Sequence, residues 1–146
     1  MDAIIFCGIQ ASGKSTFFRQ RFFDTHVRIS LDLTKNRHRE DALLYTCVAA
    51  QLPFVIDNTN VKAETRARYL RIARAANFRC TLYYFEADPA EALRRNALRI
   101  GHFRVPDIAI PASHAKLAVP TSAEGFDEAF KVRLLLNGEF QVEKLE

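Results

Sequence analysis

Gly8-Ile9-Gln10-Ala11-Ser12-Gly13-Lys14-Ser15 has the composition and spacing of a Walker A phosphate-binding loop, and the residues on either side decide the fold. Gly8 and Gly13 are expected to take backbone angles closed to other residues, which lets successive N–H groups point inward at phosphate oxygens. Lys14 can reach the β- and γ-phosphates, and the Ser15 hydroxyl is the expected metal ligand, on Mg²⁺. The expected nucleotide-binding set is Gly8, Ala11, Ser12, Gly13, Lys14, Ser15 and Thr16, with ATP and Mg²⁺ as cofactors. Such a loop must follow a strand and open a helix. Ala3-Ile4-Ile5-Phe6-Cys7 is a short apolar run suited to a buried strand, and Thr16 to Arg21 can continue as helix. A glycine turn without a ligand is the competing reading, and this context favours nucleotide binding.

Outward from the loop, apolar strand candidates at 3–7, 27–30, 54–57 and 80–85 alternate with helical stretches near 14–23, 35–51, 62–76 and 88–100. This alternation predicts an α/β fold of the P-loop NTPase type, a parallel sheet with helices on both faces. Phe54-Val55-Ile56 and Leu82-Tyr83-Tyr84-Phe85 lack polar alternation, as central parallel strands do. Asp88-Pro89-Ala90-Glu91 carries a helix start, with Asp at the N-cap and Pro at the first helical position. Residues 104–125 hold three of the five prolines and show no clear period, so a long loop or broken helix is expected. The tail, 130–142, alternates around Asn137-Gly138 and predicts a hairpin with a type I′ turn.

The 146 residues are read as one domain, with a helical lid at about 94–125. With 49% hydrophobic and 26% charged residues and a mean hydropathy of −0.11, the chain has the composition of an ordinary globular protein. No apolar run approaches the ~18 residues of a membrane span. No secretory leader is legible at the N-terminus. Cys7, Cys47 and Cys80 show no metal-ligand spacing and lie in apolar stretches, so buried reduced thiols and a cytoplasmic location are expected. The net charge of +4 permits an anionic partner without requiring one.

A phosphate loop locates a donor but not an acceptor, and ligands in such sheets gather beyond the carboxyl ends of the strands. Phosphoryl transfer to an alcohol needs a carboxylate that orients the hydroxyl and accepts its proton. Asp32, just past the second strand, is placed for that task; the alternative is a helix N-cap. Asp57 ends the third strand, where it can hold a metal-bound water or orient Lys14; the alternative is a turn built from Asp57, Asn58 and Asn60. Cations must also close on the transferring group. Arg95 and Arg99 are four apart, and Arg94, His102 and Arg104 make 94–104 basic, with no acid among them. A water-excluding lid is one reading of this segment; a Glu91–Arg95 surface pair is the other. The arginine row Arg68, Arg71, Arg74 reads as a solvated helix face.

With these residues in view, the chain resembles the kinase domain of the 5′-hydroxyl polynucleotide kinases. Four blocks carry the resemblance: Gly8–Ser15, Ile29-Ser30-Leu31-Asp32, Val55-Ile56-Asp57-Asn58-Thr59-Asn60, and Leu93-Arg94-Arg95-Asn96 with Arg99. Val105-Pro106-Asp107 and the stretch Pro120 to Phe126 extend it, so that it spans roughly residues 3–130. The resemblance implies Asp32 as general base for a 5′-hydroxyl, Arg95 and Arg99 as lid arginines on the donor phosphates, and Asp57 and Thr59 at the junction of the two sites. Lys35, with Arg37 nearby, stands where the phage enzymes carry an acceptor-phosphate arginine, and Ser30-Leu31-Asp32 replaces their Asn-Arg-Asp. The implied substrate is a 5′-OH end of RNA or DNA, with any phosphatase or ligase partner on a separate chain. Two other readings stand beside it. One is a small-molecule kinase acting on a metabolite or antibiotic hydroxyl; the other is an ATP-binding module without catalysis.

Overall fold

The apolar run after Met1 becomes the central strand of the protein. In the computed structural model, which describes residues 1–146, β1 (Asp2–Cys7) lies among β2 (Val27–Ile29), β3 (Phe54–Ile56), β4 (Arg79–Phe85), β5 (Glu128–Leu134) and β6 (Phe140–Lys144). The six strands form one sheet in the order β2-β3-β1-β4-β5-β6. The first five are parallel, and β6 pairs antiparallel with β5, so the expected parallel sheet carries an antiparallel edge. Six helices accompany it: α1 (Lys14–Arg21), α2 (Leu31–Thr34), α3 (Arg37–Ala50), α4 (Ala63–Ala75), α5 (Pro89–Ala97) and α6 (Ala109–Lys116). No helix is long and apolar enough to cross a membrane.

Alternation along β1 divides the core. Ala3, Ile5 and Cys7 face one side with Ile29, Leu44, Phe54, Tyr69 and Phe78. Ile4 and Phe6 face the other with Phe17, Phe18, Val55, Phe85 and Val132, as the two-residue period of a strand requires. Phe17 of α1 meets Phe85 at 5.2 Å and Phe140 at 5.1 Å, both edge to face. Aromatic packing of this kind fixes the helix that carries Lys14 and Ser15 onto the sheet. A smaller cluster of Ile9, Ala11, Ala92 and Ile110 joins the phosphate loop to α5 and α6. Cys7, Cys47 and Cys80 are all buried free thiols.

Several expected elements differ in their ends, each for a local reason. The helix expected over 35–51 starts at Arg37, because Lys35 is left-handed (φ 73°) and the Asn36 side chain caps α3 by accepting from Arg39 N. The helix expected over 88–100 stops at Ala97, so Arg99 lies beyond it; its start is as read, with the Asp88 side chain accepting from Ala90 N at 3.0 Å. The proline-bearing segment is a broken helix, with α6 between two short 3-10 turns at Gly101–Phe103 and Ser122–Glu124. The tail hairpin forms, but its turn is not type I′. Of its residues only Gly138 has positive φ (85°), and Gly138 N bonds Leu135 O while Leu135 N bonds Glu139 O. That is a longer turn closed by a left-handed glycine.

Candidate functional site

The phosphate loop presents amides without acceptors. Gly8 N donates to Thr59 O at 2.9 Å, tying the loop to the β3 exit, while the amides of residues 9–13 donate to no backbone carbonyl. The first turn of α1 adds its own unpaired amides, since Gly13 caps the helix without a side-chain bond. Together these form a concave anion nest at a helix N-terminus. The backbone reaches this shape differently from expectation. The left-handed residues are Ala11 (φ 60°) and Gly13 (φ 100°), not Gly8. Gly8 is required by close approach instead, because a Cβ there would sit 2.8 Å from Phe85 Cβ. Thr16 lies in the first turn, its hydroxyl accepting from Arg19 at 3.3 Å.

Lys14 is buried and folds back over the loop, donating to Gly8 O at 2.9 Å and Ile9 O at 2.8 Å. Burial pushes its ammonium down to about 8, against the opposing pull of Asp57. An unfolded lysine holds its proton to about pH 10.4. Between about pH 8 and that value the unfolded chain therefore binds more protons, and this group's contribution to stability rises with pH. A triphosphate favours the charged form. ATP binding is therefore expected to take up a proton above pH 8, the dissociation constant weakening by up to about tenfold per pH unit. Calorimetric titrations at pH 7, 8 and 9 in buffers of different ionisation enthalpy measure this directly. A flat profile, or one unchanged in Lys14→Ala, would assign the titration elsewhere.

Beside the lysine, Ser15 and Asp57 meet. Ser15 Oγ donates to Asp57 Oδ2 at 3.2 Å, and Asp57 is buried, with 4% of its surface exposed. Two hard oxygens, with phosphate and water completing the shell, are the donor set Mg²⁺ favours over an all-protein cage. No cluster of three or more His, Cys, Asp or Glu side chains offers such a cage. Arg28, which the sequence did not single out, completes the group: its Nε donates to Asp57 Oδ2 at 2.8 Å and its Nη2 to Ser15 Oγ at 3.0 Å.

Asp32 sits in the first turn of α2. The capping role belongs to Ser30, whose hydroxyl accepts from Asp32 N at 3.2 Å. The Asp32 carboxylate is exposed, makes no hydrogen bond or ion pair, and bears electrostatically on both Lys14 and Arg99. A partly buried network centred on Glu40 and Tyr69 holds its helix in place. Leu31 N donates to Asn58 Oδ1 and Asn58 Nδ2 to Glu40 Oε2, both at 2.8 Å. Glu40, with no exposed surface, also accepts from Tyr69 Oη at 2.6 Å and Arg37 Nη1 at 2.9 Å. Arg37 bonds both Glu40 and Tyr69 through Nη1 while its side chain is 55% exposed, and the exposed Lys35 side chain makes no hydrogen bond. Asn58 and Asn60 do more than turn the chain, since Asn60 Nδ2 also donates to Phe6 O at 2.7 Å.

Arg95 reaches the loop from α5, donating to Ala11 O at 3.4 Å and to Leu134 O at 3.4 Å, and it pairs with Glu91 at 3.5 Å. The Glu91 pair is thus present, and the same guanidinium also lies against the phosphate loop. Arg99 is half-buried and donates to Phe103 O at 3.4 Å; burial lowers its pKa, with Asp32 opposing. The segment after α5 is pinned by Asn96, which donates to Val105 O at 2.8 Å and accepts from Val105 N at 3.0 Å. Gln10 Nε2 donates to Ser113 Oγ at 2.9 Å, which joins the loop to α6.

The chain is 24% identical over 135 residues to the bifunctional polynucleotide phosphatase/kinase of Schizosaccharomyces pombe. The alignment takes in 90% of this chain and 33% of that protein, so the chain spans about a third of that relative's length. Among solved structures, Kti12 of Chaetomium thermophilum in complex with ADP-AlF3 superposes with a TM-score of 0.64 at 15% identity, covering 90% of this chain and 88% of that one. A gluconokinase from Sinorhizobium meliloti 1021 superposes with a TM-score of 0.63 at 16% identity, covering 89% and 82%. At these identities the likeness concerns the fold, a P-loop kinase-like α/β sheet. The chain belongs to the AAA domain family, whose profile matches residues 4–120.

Proposed function

We propose that the chain transfers the γ-phosphoryl group of ATP to the 5′-hydroxyl end of a polynucleotide. The observation that carries this reading is the unpartnered Asp32 carboxylate beyond the carboxyl end of β2, within the field of Lys14 and Arg99. Asp32 accepts the proton of the attacking hydroxyl as its oxygen forms a bond to the γ-phosphorus; the bond from that phosphorus to the β,γ-bridging oxygen breaks, and ADP leaves. Lys14, Arg95 and Arg99 neutralise charge on the transferring group, where fixed cations have their largest effect. Ser15 and Asp57 would hold Mg²⁺, which would neutralise negative charge on the nucleotide phosphates when bound. The nucleic-acid acceptor is supported by the similarity to the polynucleotide phosphatase/kinase and by the exposed cations Lys35, His38 and Arg39, which follow Asp32 closely in the chain.

The fold is also that of a gluconokinase, so the test must separate acceptor classes. Labelled ATP is incubated with 5′-OH RNA and DNA oligonucleotides and, in parallel, with gluconate and other sugars. Label on the oligonucleotide end is expected. Label on a sugar instead replaces the acceptor, and binding of ATP without transfer to either leaves a nucleotide-binding module.

A further inference from the structure

Arg28 lies on the edge strand of the sheet, yet its guanidinium spans the two side chains suited to a divalent cation. Nε bonds Asp57 Oδ2 at 2.8 Å and Nη2 bonds Ser15 Oγ at 3.0 Å. A serine hydroxyl has one proton and two lone pairs. Ser15 gives its proton to Asp57 and one lone pair to Arg28, so an incoming metal meets an oxygen already engaged and a fixed positive charge beside it. Asp57, whose side chain is 2% exposed, needs a counter-charge whenever no metal is present, because an unpaired buried carboxylate is costly. Arg28 supplies it. Its own side chain is 23% exposed and its strand has a neighbour on one side only, so the guanidinium has a route to solvent.

We propose that Arg28 is a tethered cation that competes with the divalent ion for Ser15 and Asp57, so that metal binding and release of Arg28 are one coupled step. The tether keeps the buried acid neutralised between turnovers. It also weakens metal binding in the absence of nucleotide, because only the fraction of molecules with Arg28 released can accept the ion. The proposal rests on the nucleotide-and-metal reading of the loop and not on the acceptor, so its test contains no acceptor.

The probe is Mn²⁺, titrated into nucleotide-free protein and followed by electron paramagnetic resonance of the free ion. Arg28→Gln is expected to bind Mn²⁺ about tenfold or more tightly than wild type, the penalty removed when the competing state exceeds about 90% of molecules. Arg28→Lys, which keeps the charge without the fork, should fall between. Equal or weaker binding by Arg28→Gln overturns the proposal and makes Arg28 a brace for the pair. In the unmodified protein, the Arg28 Nε–H resonance should shift or vanish at saturating Mg²⁺ and ADP. A resonance that stays in place overturns the proposal independently of any variant's folding.

Discussion

Asp32→Asn is expected to lower turnover by about 10²–10⁴-fold, the usual contribution of a positioned general base, while leaving the ATP dissociation constant within about twofold. Asparagine matches the carboxylate in shape and can still orient a hydroxyl, but it cannot take the proton. The carboxylate has no protein partner to lose and is exposed, so unfolding free energy should change by less than about 0.5 kcal/mol. This separation distinguishes a base from a structural acid. Removing a neighbour of the partly buried network, such as Asn58, would disturb α2 and stability together, because Asn58 holds Leu31 N on one side and Glu40 on the other. Single-turnover transfer, equilibrium ATP binding and thermal melts on the one variant decide the matter. Turnover within about threefold of wild type would remove Asp32 from the role and leave ATP binding as the chain's supported property.

The two carboxylates illustrate what was legible in the sequence. The positions of Asp32 and Asp57 past strand ends could be read because Asp57 directly follows an apolar run and Asp32 lies two residues beyond the strand candidate at 27–30. Residues 3–15 were equally readable, since strand, loop and helix start are local features. What escaped was long-range and charged. Arg28 sits in a three-residue strand where nothing in the local pattern says that its guanidinium crosses to the acid after β3. Glu40 looks like an ordinary exposed acid of α3; its burial follows only from the arrival of Tyr69 and Asn58 from distant segments. The break at Lys35 had a local signal in Asn36, a strong N-cap residue, which the helical pattern of the following residues masked. Arg66 was hidden by its neighbours, because Arg68, Arg71 and Arg74 suggest a solvated row, whereas Arg66 faces inward.

Arg66 accounts for the second large effect. Its side chain is wholly buried and its guanidinium grips Glu124 as a fork, Nε to Oε1 at 2.8 Å and Nη2 to Oε2 at 2.9 Å. Nη1 also donates to Asn60 O at 2.9 Å and Val61 O at 3.1 Å, and Nη2 to Ala118 O at 2.9 Å. Nη1 further touches Cys7 Sγ at 3.6 Å; burial pushes that thiol up to about 11, so the contact is with a neutral sulfur. One residue therefore bolts the chain after α6 to the β3 exit loop, which itself holds Gly8 through Thr59. Removing one partner of a buried, hydrogen-bonded charge pair costs about 3–5 kcal/mol. Arg66→Met should lose that much, a fall in melting temperature of roughly 10 °C or more for a chain of this size. Adding Glu124→Met to it should restore part of the loss, since the stranded carboxylate is then gone. Denaturant unfolding of the two single variants and the double variant completes the cycle. A loss below about 1 kcal/mol in Arg66→Met, or a double variant no better than the sum of its parts, would mean that water replaces the fork and that the bolt lies elsewhere.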